Sequence, residues 1–305
     1  MEKRPIIIDT DPGIDDAMAL ALALQSEQLD VRLITTVAGN VDVEKTTNNA
    51  LKLVEFLNVD VPVAKGIGRA ILRDSVYAED VHGETGMDGY EFPVPTKQIS
   101  EFHAVEALRK ALMESDELVT LVPIAALTNI ATLFLMYPEV KNKIKEIVMM
   151  GGTLGKGNTN TVSEFNIFVD PHAAKIVLES GVRIVMVPLD VTREAAIHKE
   201  SVEALHKNSK LGEMFSGLFS HYRGGSIENG LRMHDTCAIA YLIKPEFFKT
   251  KEIYVDVVCE GVAAGALVAD GFMKLNEDKK PNVIFCEEID ANAFEKWFVE
   301  ELSKN

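Results

Sequence analysis

Cysteine is scarce: Cys237, Cys259 and Cys286 are the only three in 305 residues, odd in number and widely spaced. Neither a disulfide framework nor a cysteine-based zinc site is expected from them. Long apolar runs are missing too. The longest, AMALALAL at 17 to 24, is too short to cross a bilayer. MEKRP at the start is followed by only three apolar residues before Asp9, well short of a signal-peptide core. The expectation is a soluble, cytoplasmic protein. Basic charge is in the minority, 31 Lys and Arg against 47 Asp and Glu, for a net charge of −16. Affinity for nucleic acid or anionic membrane rests on clustered basic side chains meeting phosphate, so the expected partners are small molecules, with no nucleic acid and no membrane.

Several cofactor and nucleophile motifs are absent as well. GIGRAI at 66 to 71 lacks the third glycine of a dinucleotide fingerprint, and GKG at 155 to 157 has no Ser or Thr after Lys156, so it is no phosphate-binding P-loop. There is no G-x-S-x-G elbow, and the cysteines lie in apolar or helical contexts, so a covalent acyl mechanism has no obvious nucleophile.

What is present is a chain with 47% hydrophobic residues and no Pro/Ser/Gly-rich linker, low-complexity tract or repeat. It reads as one domain spanning 1–305. Short β-branched runs (PIIID, VRLITTVAG, VPVAKG, LVTLVPIA, EIVMMGG, RIVMVPLD) alternate with helical-period segments at 15 to 26, 43 to 57, 100 to 114, 128 to 137 and 170 to 180. Two or three more helices are expected between 198 and 243. Beyond 250, IYVDVVCE, GALVAD and NVIFCEE read as further strands, with antiparallel pairing at a sheet edge, before a last helix from Asp290. This pattern predicts an α/β fold with an open, mostly parallel Rossmann-like sheet flanked by helices.

Polar residues close each predicted strand: Asp9 and Asp11, Asn40, Thr128 and Asn129, Asn158 to Asn166, and Asp190. In an open parallel sheet ligands lie outside the carboxyl ends of the strands, so that edge is the candidate site. Its densest part is DTDPGIDDA, with four aspartates in eight positions. Pro12 and Gly13 make a turn, and Asp15 or Asp16 alone would be an ordinary helix cap. All four together repel one another unless a cation intervenes. Carboxylates without Cys or His at ligand spacing point to a hard ion, Ca²⁺ or Mg²⁺, and Ca²⁺ better tolerates a shell assembled from several loops. A phosphatase of the haloacid dehalogenase type, using the Asp9/Asp11 pair, is the competing reading, although Pro12-Gly13 stands where Thr or Val usually follows and no late paired acidic motif is found.

DTDPGIDDA together with TTVAGN (35 to 40), VHGETGMDG (81 to 89), GN (157 to 158), EFNIFVDPHAA (164 to 174) and MHD (233 to 235) resembles the inosine-uridine-preferring nucleoside hydrolase family. The stretch 219 to 242 further resembles the bacterial branch that accepts purine and pyrimidine ribonucleosides. The resemblance implies one Ca²⁺ per subunit, with Asp11, Asp16, Asp235 and the backbone carbonyl of Ile124 as ligands. It implies Asp15, Asn40, Asn158, Glu164 and Asn166 as ribose-binding residues, Asp11 as the base that activates water, and His234 as the acid for the leaving base. It also implies a homodimer or homotetramer.

Around these, His82 in its Gly-rich loop is a second candidate for the base end, in a segment able to act as a lid. Phe165 packs under the ribose or in the core, pointing away from Glu164 and Asn166 if the segment is extended. His221 and Tyr222 are base-pocket or helix-surface residues. His103 and His206 read as helix residues, His198 as a helix start, and His172 as part of a first turn. A nucleoside-binding sensor without turnover is the rival from another class, and the presence of both Asp11 and His234 argues against it.

Overall fold

In the computed structural model, residues 3–206, 210–226, 228–270 and 280–304 are described. Strand β1 (Arg4–Thr10) shows why three isoleucines stand together. Ile6 and Ile8 enter one hydrophobic cluster and Ile7 the cluster on the opposite face, so β1 is apolar on both sides, as a central strand between helical layers must be. It pairs in parallel with β2 (Leu29–Thr36) and β4 (Val119–Pro123).

With β3 (Val63–Lys65), β5 (Ile144–Met150) and β6 (Ile184–Val187), the eight-stranded sheet runs in the order 248–253, 283–289, β6, β5, β4, β1, β2, β3. Strand Val283–Ile289 is parallel to β6, and only the edge strand Phe248–Ile253 runs antiparallel. The single α/β domain with a mostly parallel sheet is therefore as expected. IYVDVVCE, however, does not form one strand. The edge strand ends at Ile253, and Val255–Val257 leaves the sheet to pair with Leu267–Ala269.

Helix α1 (Ile14–Gln25) is buried from Ile14 to Ala23, so AMALALAL is a core helix between β1 and its neighbours. It shares its cluster with α2 (Val43–Phe56) and the helices Lys210–His221, Thr236–Ile243 and Ala291–Leu302. Helices Ala104–Glu114, Thr128–Met136 and Pro171–Leu178 cover the other face. The helix predicted from residue 100 begins at Ala104 because His103 caps it, its Nδ1 accepting from the Val105 N–H at 3.3 Å. His103 is thus a cap and not a helix residue.

β4 and β1 are neighbours, while the chain leaves β1 toward β2 on the other side. That reversal opens a crevice at their carboxyl ends. Among the described residues no helix is long and apolar enough to cross a membrane.

Candidate active site

The crevice floor is built from the β1–α1 turn. Thr10 donates its hydroxyl to Asp16 Oδ1 (2.5 Å), and Asp16 Oδ2 accepts from the Gly13 N–H (2.9 Å) and from Asn40 Nδ2 (3.0 Å). Asp16 therefore serves as the helix cap weighed above and as part of the site. Asp11 Oδ2 accepts from the Asn40 N–H at 2.7 Å. Two glycines make this approach possible: a Cβ at Gly39 would sit 2.0 Å from Asp11 Oδ2, and one at Gly13 would sit 2.6 Å from the His82 ring. Asp235 arrives from the far side, at the N-terminus of helix Thr236–Ile243.

Asp15, Asp16 and Asp235 each offer an oxygen within 4.8 Å of the others. Asp15, expected at the ribose, is thus drawn into the tightest acidic group, with Asp11 beside it. Burial, followed by the charge of Asp16 and then that of Asp15 beyond it, holds Asp11 well above the usual carboxylate range. Burial and Asp16 push Asp15 up to about 7. Asp235 is raised by burial and by Asp15, Asp16 and Asp11, and Asp16 is raised chiefly by burial.

Among the described residues no Lys or Arg lies within ion-pair distance of any of the four. Buried carboxylates without counter-charge are costly, and an oxygen-only donor set suits a hard divalent cation. The residues present fit such an ion.

All the predicted site residues line one cavity of about 630 Å³ except Asp16, which is fully buried, and His221. Ile124 follows β4, its N–H donating to the Asp9 carbonyl (2.8 Å), and its own carbonyl accepts from Asn166 Nδ2 at 3.2 Å. Glu164 accepts from the N–H groups of Gly152 (2.9 Å), Asn166 (2.9 Å) and Ile167 (3.2 Å), yet burial still raises it to about 7. The segment after it is not extended: Phe165–Val169 is a short helix capped by Glu164. Phe165 therefore stands in a first helical turn and lines the cavity half-buried. Asn158 is exposed at the rim, its Oδ1 accepting from the Phe165 N–H (2.9 Å).

His82 Nδ1 accepts from the Ile14 N–H (3.1 Å), so its ring proton sits on Nε2, and burial lowers its pKa to about 4. His234 Nδ1 lies 2.7 Å from Thr192 Oγ1. Burial, followed by the charges of Arg232, Arg193 and His82, lowers its pKa to about 3, so the imidazole is neutral at pH 7.

Not every polar strand end reaches the cavity. Asp9 is paired with Thr35 and Asn129, Thr128 donates to Asp170, and Asp190 accepts from the Leu154 N–H. These props hold the loops from behind. His221 is exposed at a helix end, whereas Tyr222 is buried, its ring 5.6 Å from that of His82 and its hydroxyl donating to the Arg232 carbonyl. His172 faces Glu260, and His198 pairs with Glu295 just before helix Lys199–His206.

Sequence reasoning missed Thr192, Arg193 and Arg232, all at the His234 end. The available signal was position. Thr192 and Arg193 lie within three residues of Asp190 beyond the sixth strand, and Arg232 lies two before His234.

The chain has relatives of known name along its whole length. The chain is 47% identical over 302 residues to the non-specific ribonucleoside hydrolase RihC of Escherichia coli O7:K1, covering 99% of each chain. It is 47% identical over 299 residues to the protein of the same name from Klebsiella pneumoniae, covering 98% of each. The purine-preferring ribonucleoside hydrolase from Gardnerella vaginalis superposes with a TM-score of 0.91 at 29% identity, covering 98% of both chains. The model of the inosine-uridine preferring nucleoside hydrolases matches residues 6–296, which retires the phosphatase reading. This chain, an enzyme by that descent, belongs to the inosine-uridine preferring nucleoside hydrolase family.

Proposed function

We propose that this enzyme hydrolyses the N-glycosidic bond of both purine and pyrimidine ribonucleosides to ribose and free base, with Ca²⁺ as its cofactor. The observation that carries the reading is the floor of four buried carboxylates with no counter-cation among the described residues, set beneath a cavity of about 630 Å³. The breadth toward both base classes follows the printed name of the relatives at 47% identity.

Asp11, Asp16, Asp235 and the Ile124 carbonyl would hold the ion, with Asp15 close enough to join them. When bound, the ion supplies Lewis acidity that lets a water lose its proton near neutral pH, and a template for the two vicinal ribose hydroxyls. The chain's own residues do the rest. Asp11, fixed by the Asn40 N–H, accepts the proton of the attacking water. The water oxygen bonds to C1′ as the C1′–N bond breaks, and the bonding pair leaves with the base.

Asn40, Asn158, Glu164 and Asn166 position the ribose, and a hydroxyl missing from the sugar would leave buried polar groups unpaired. Phe165 forms part of the wall beside them. Asp15 and its neighbours favour the positive charge that develops on the sugar. At the base end the neutral ring of His234 passes its N–H proton to the departing base as the Thr192 hydroxyl supplies Nδ1, and His82 presents Nε2–H toward the base.

The test is release of reducing sugar from uridine and inosine by the purified protein in calcium buffer. Ribose from both, and much less from the 2′-deoxy analogues, is the expected result. Tight nucleoside binding with no ribose would instead establish a sensor. Sedimentation of the same preparation checks the dimer or tetramer that belongs to this reading.

A further inference from the structure

The cavity has a second charged feature, opposite in sign to its floor. Arg193 and Arg232 both line it, half-buried. In a chain with 47 acidic residues against 31 basic, neither guanidinium has a carboxylate within 4.0 Å among the described residues. Arg193 spends one N–H on the Gly157 carbonyl (2.9 Å), and the Arg232 side chain makes no hydrogen bond among the described residues. A guanidinium carries five donors, so most of theirs are uncommitted.

Both arginines are placed by the elements that place His234. Arg193 directly follows Thr192, which holds the imidazole. Arg232 lies two residues before His234, in a strand whose partner for Arg232 is Ala196. The Met233 N–H donates to the Ala195 carbonyl (2.9 Å), locking the two segments together. A role in tying down the Gly157 turn accounts for one bond of Arg193 and for nothing at Arg232.

We infer that Arg193 and Arg232 form a cationic subsite for the departing base, so that the C1′–N bond breaks with the base held as an anion. The subsite selects ribonucleosides whose bases carry negative charge well. This inference rests on the nucleoside-hydrolase reading above and adds a residue role to it. Heterolysis puts positive charge on the sugar and negative charge on the base, and the cavity carries carboxylates on its floor and guanidiniums in its wall. The bonding pair stays on the base nitrogen, the water's hydroxyl completes C1′, and the base regains a proton from His234 or from solvent, so the sum is nucleoside plus water giving ribose plus base.

The experiment measures kcat and KM for uridine, 5-fluorouridine and 4-nitrophenyl riboside, in calcium buffer, for the wild type and for Arg193→Met, Arg232→Met and Arg193→Lys. Ribose inhibition and thermal melting serve as controls for binding and folding. Each Met variant is expected to lose about tenfold or more of kcat/KM on uridine, less on 5-fluorouridine, and least on the nitrophenyl riboside, whose leaving group is already a stable anion. Ribose inhibition should stay within about twofold, and Arg193→Lys, which keeps the charge, should recover part of the uridine rate.

Equal losses on all three substrates, or none, overturn the inference. So does a wild-type preference for uridine 5′-monophosphate over uridine that disappears in the Met variants, because the arginines would then be holding a phosphate. A wild type that turns over normally beside unaffected variants defeats this inference alone, whereas a wild type releasing no ribose from any riboside defeats the underlying function.

Discussion

Thr192 Oγ1 lies 2.7 Å from Nδ1 of His234, which places a hydroxyl from the short helix Leu189–Thr192 after the sixth strand against the one imidazole that directly precedes an acidic floor residue. Neither burial nor the nearby arginines favour an imidazolium here. Orientation of a neutral ring is therefore what the hydroxyl provides. Thr192→Val should lower kcat on uridine by about tenfold with KM changed less, since the loss is of alignment and of a bond worth about 1 kcal/mol. Steady-state kinetics read it directly, and a rise in KM alone would assign Thr192 to substrate binding.

Asp11→Asn tests the proposed general base. The amide keeps the bond from the Asn40 N–H but cannot take the proton of water, so turnover should fall by about a hundredfold or more while ribose inhibition changes modestly. Parallel losses in both would make Asp11 chiefly structural.

Gly39→Ala probes the same carboxylate by steric means. The added methyl would stand 2.0 Å from Asp11 Oδ2, so the carboxylate must move. Activity should drop nearly as far as in Asp11→Asn, with far-UV circular dichroism unchanged. Full activity would show that the turn relaxes without displacing Asp11.

The layout of the sheet was legible because strands buried on both faces must be apolar throughout, as Ile6 to Ile8 are, and because short turns separate them from helices of clear period. The site edge was legible for the same reason: DTDPG and TTVAGN stand at ends of adjacent parallel strands. Periodicity says nothing about which carboxylates converge. The pairing of Asp15 with Asp235 spans most of the chain and depends on how helix Thr236–Ile243 packs against α1. The local structure at Phe165 was not legible because Glu164 caps its own successors, so that a polar-apolar-polar triplet with strand spacing became a helix start. Thr192 and Arg193 carried no motif, and only the fold turns them toward His234.

Glu295 gives a prediction about acid stability outside the site. Burial pushes its carboxyl up, but bonds from the His198 N–H, the His198 ring and the Ser201 hydroxyl outweigh this and leave its pKa lowered. A depressed folded pKa stabilises the fold above the unfolded value near 4.5, and that contribution is lost as pH falls through the folded one. Glu295→Gln should cost about 1 kcal/mol or less at pH 7 and flatten the decline of melting temperature below pH 4.5. An unchanged slope would show that this contact does not hold helix Lys199–His206 against Ala291–Leu302.

Calorimetric titration of calcium into chelator-stripped protein near pH 7 tests the central claim most directly. One ion per chain should bind, with protons released to the buffer because the empty carboxylates lie above their ordinary range, and binding should vanish in Asp16→Asn and Asp235→Asn variants that still fold. Absence of calcium heat, together with ribose release that survives chelation undiminished, would contradict the account.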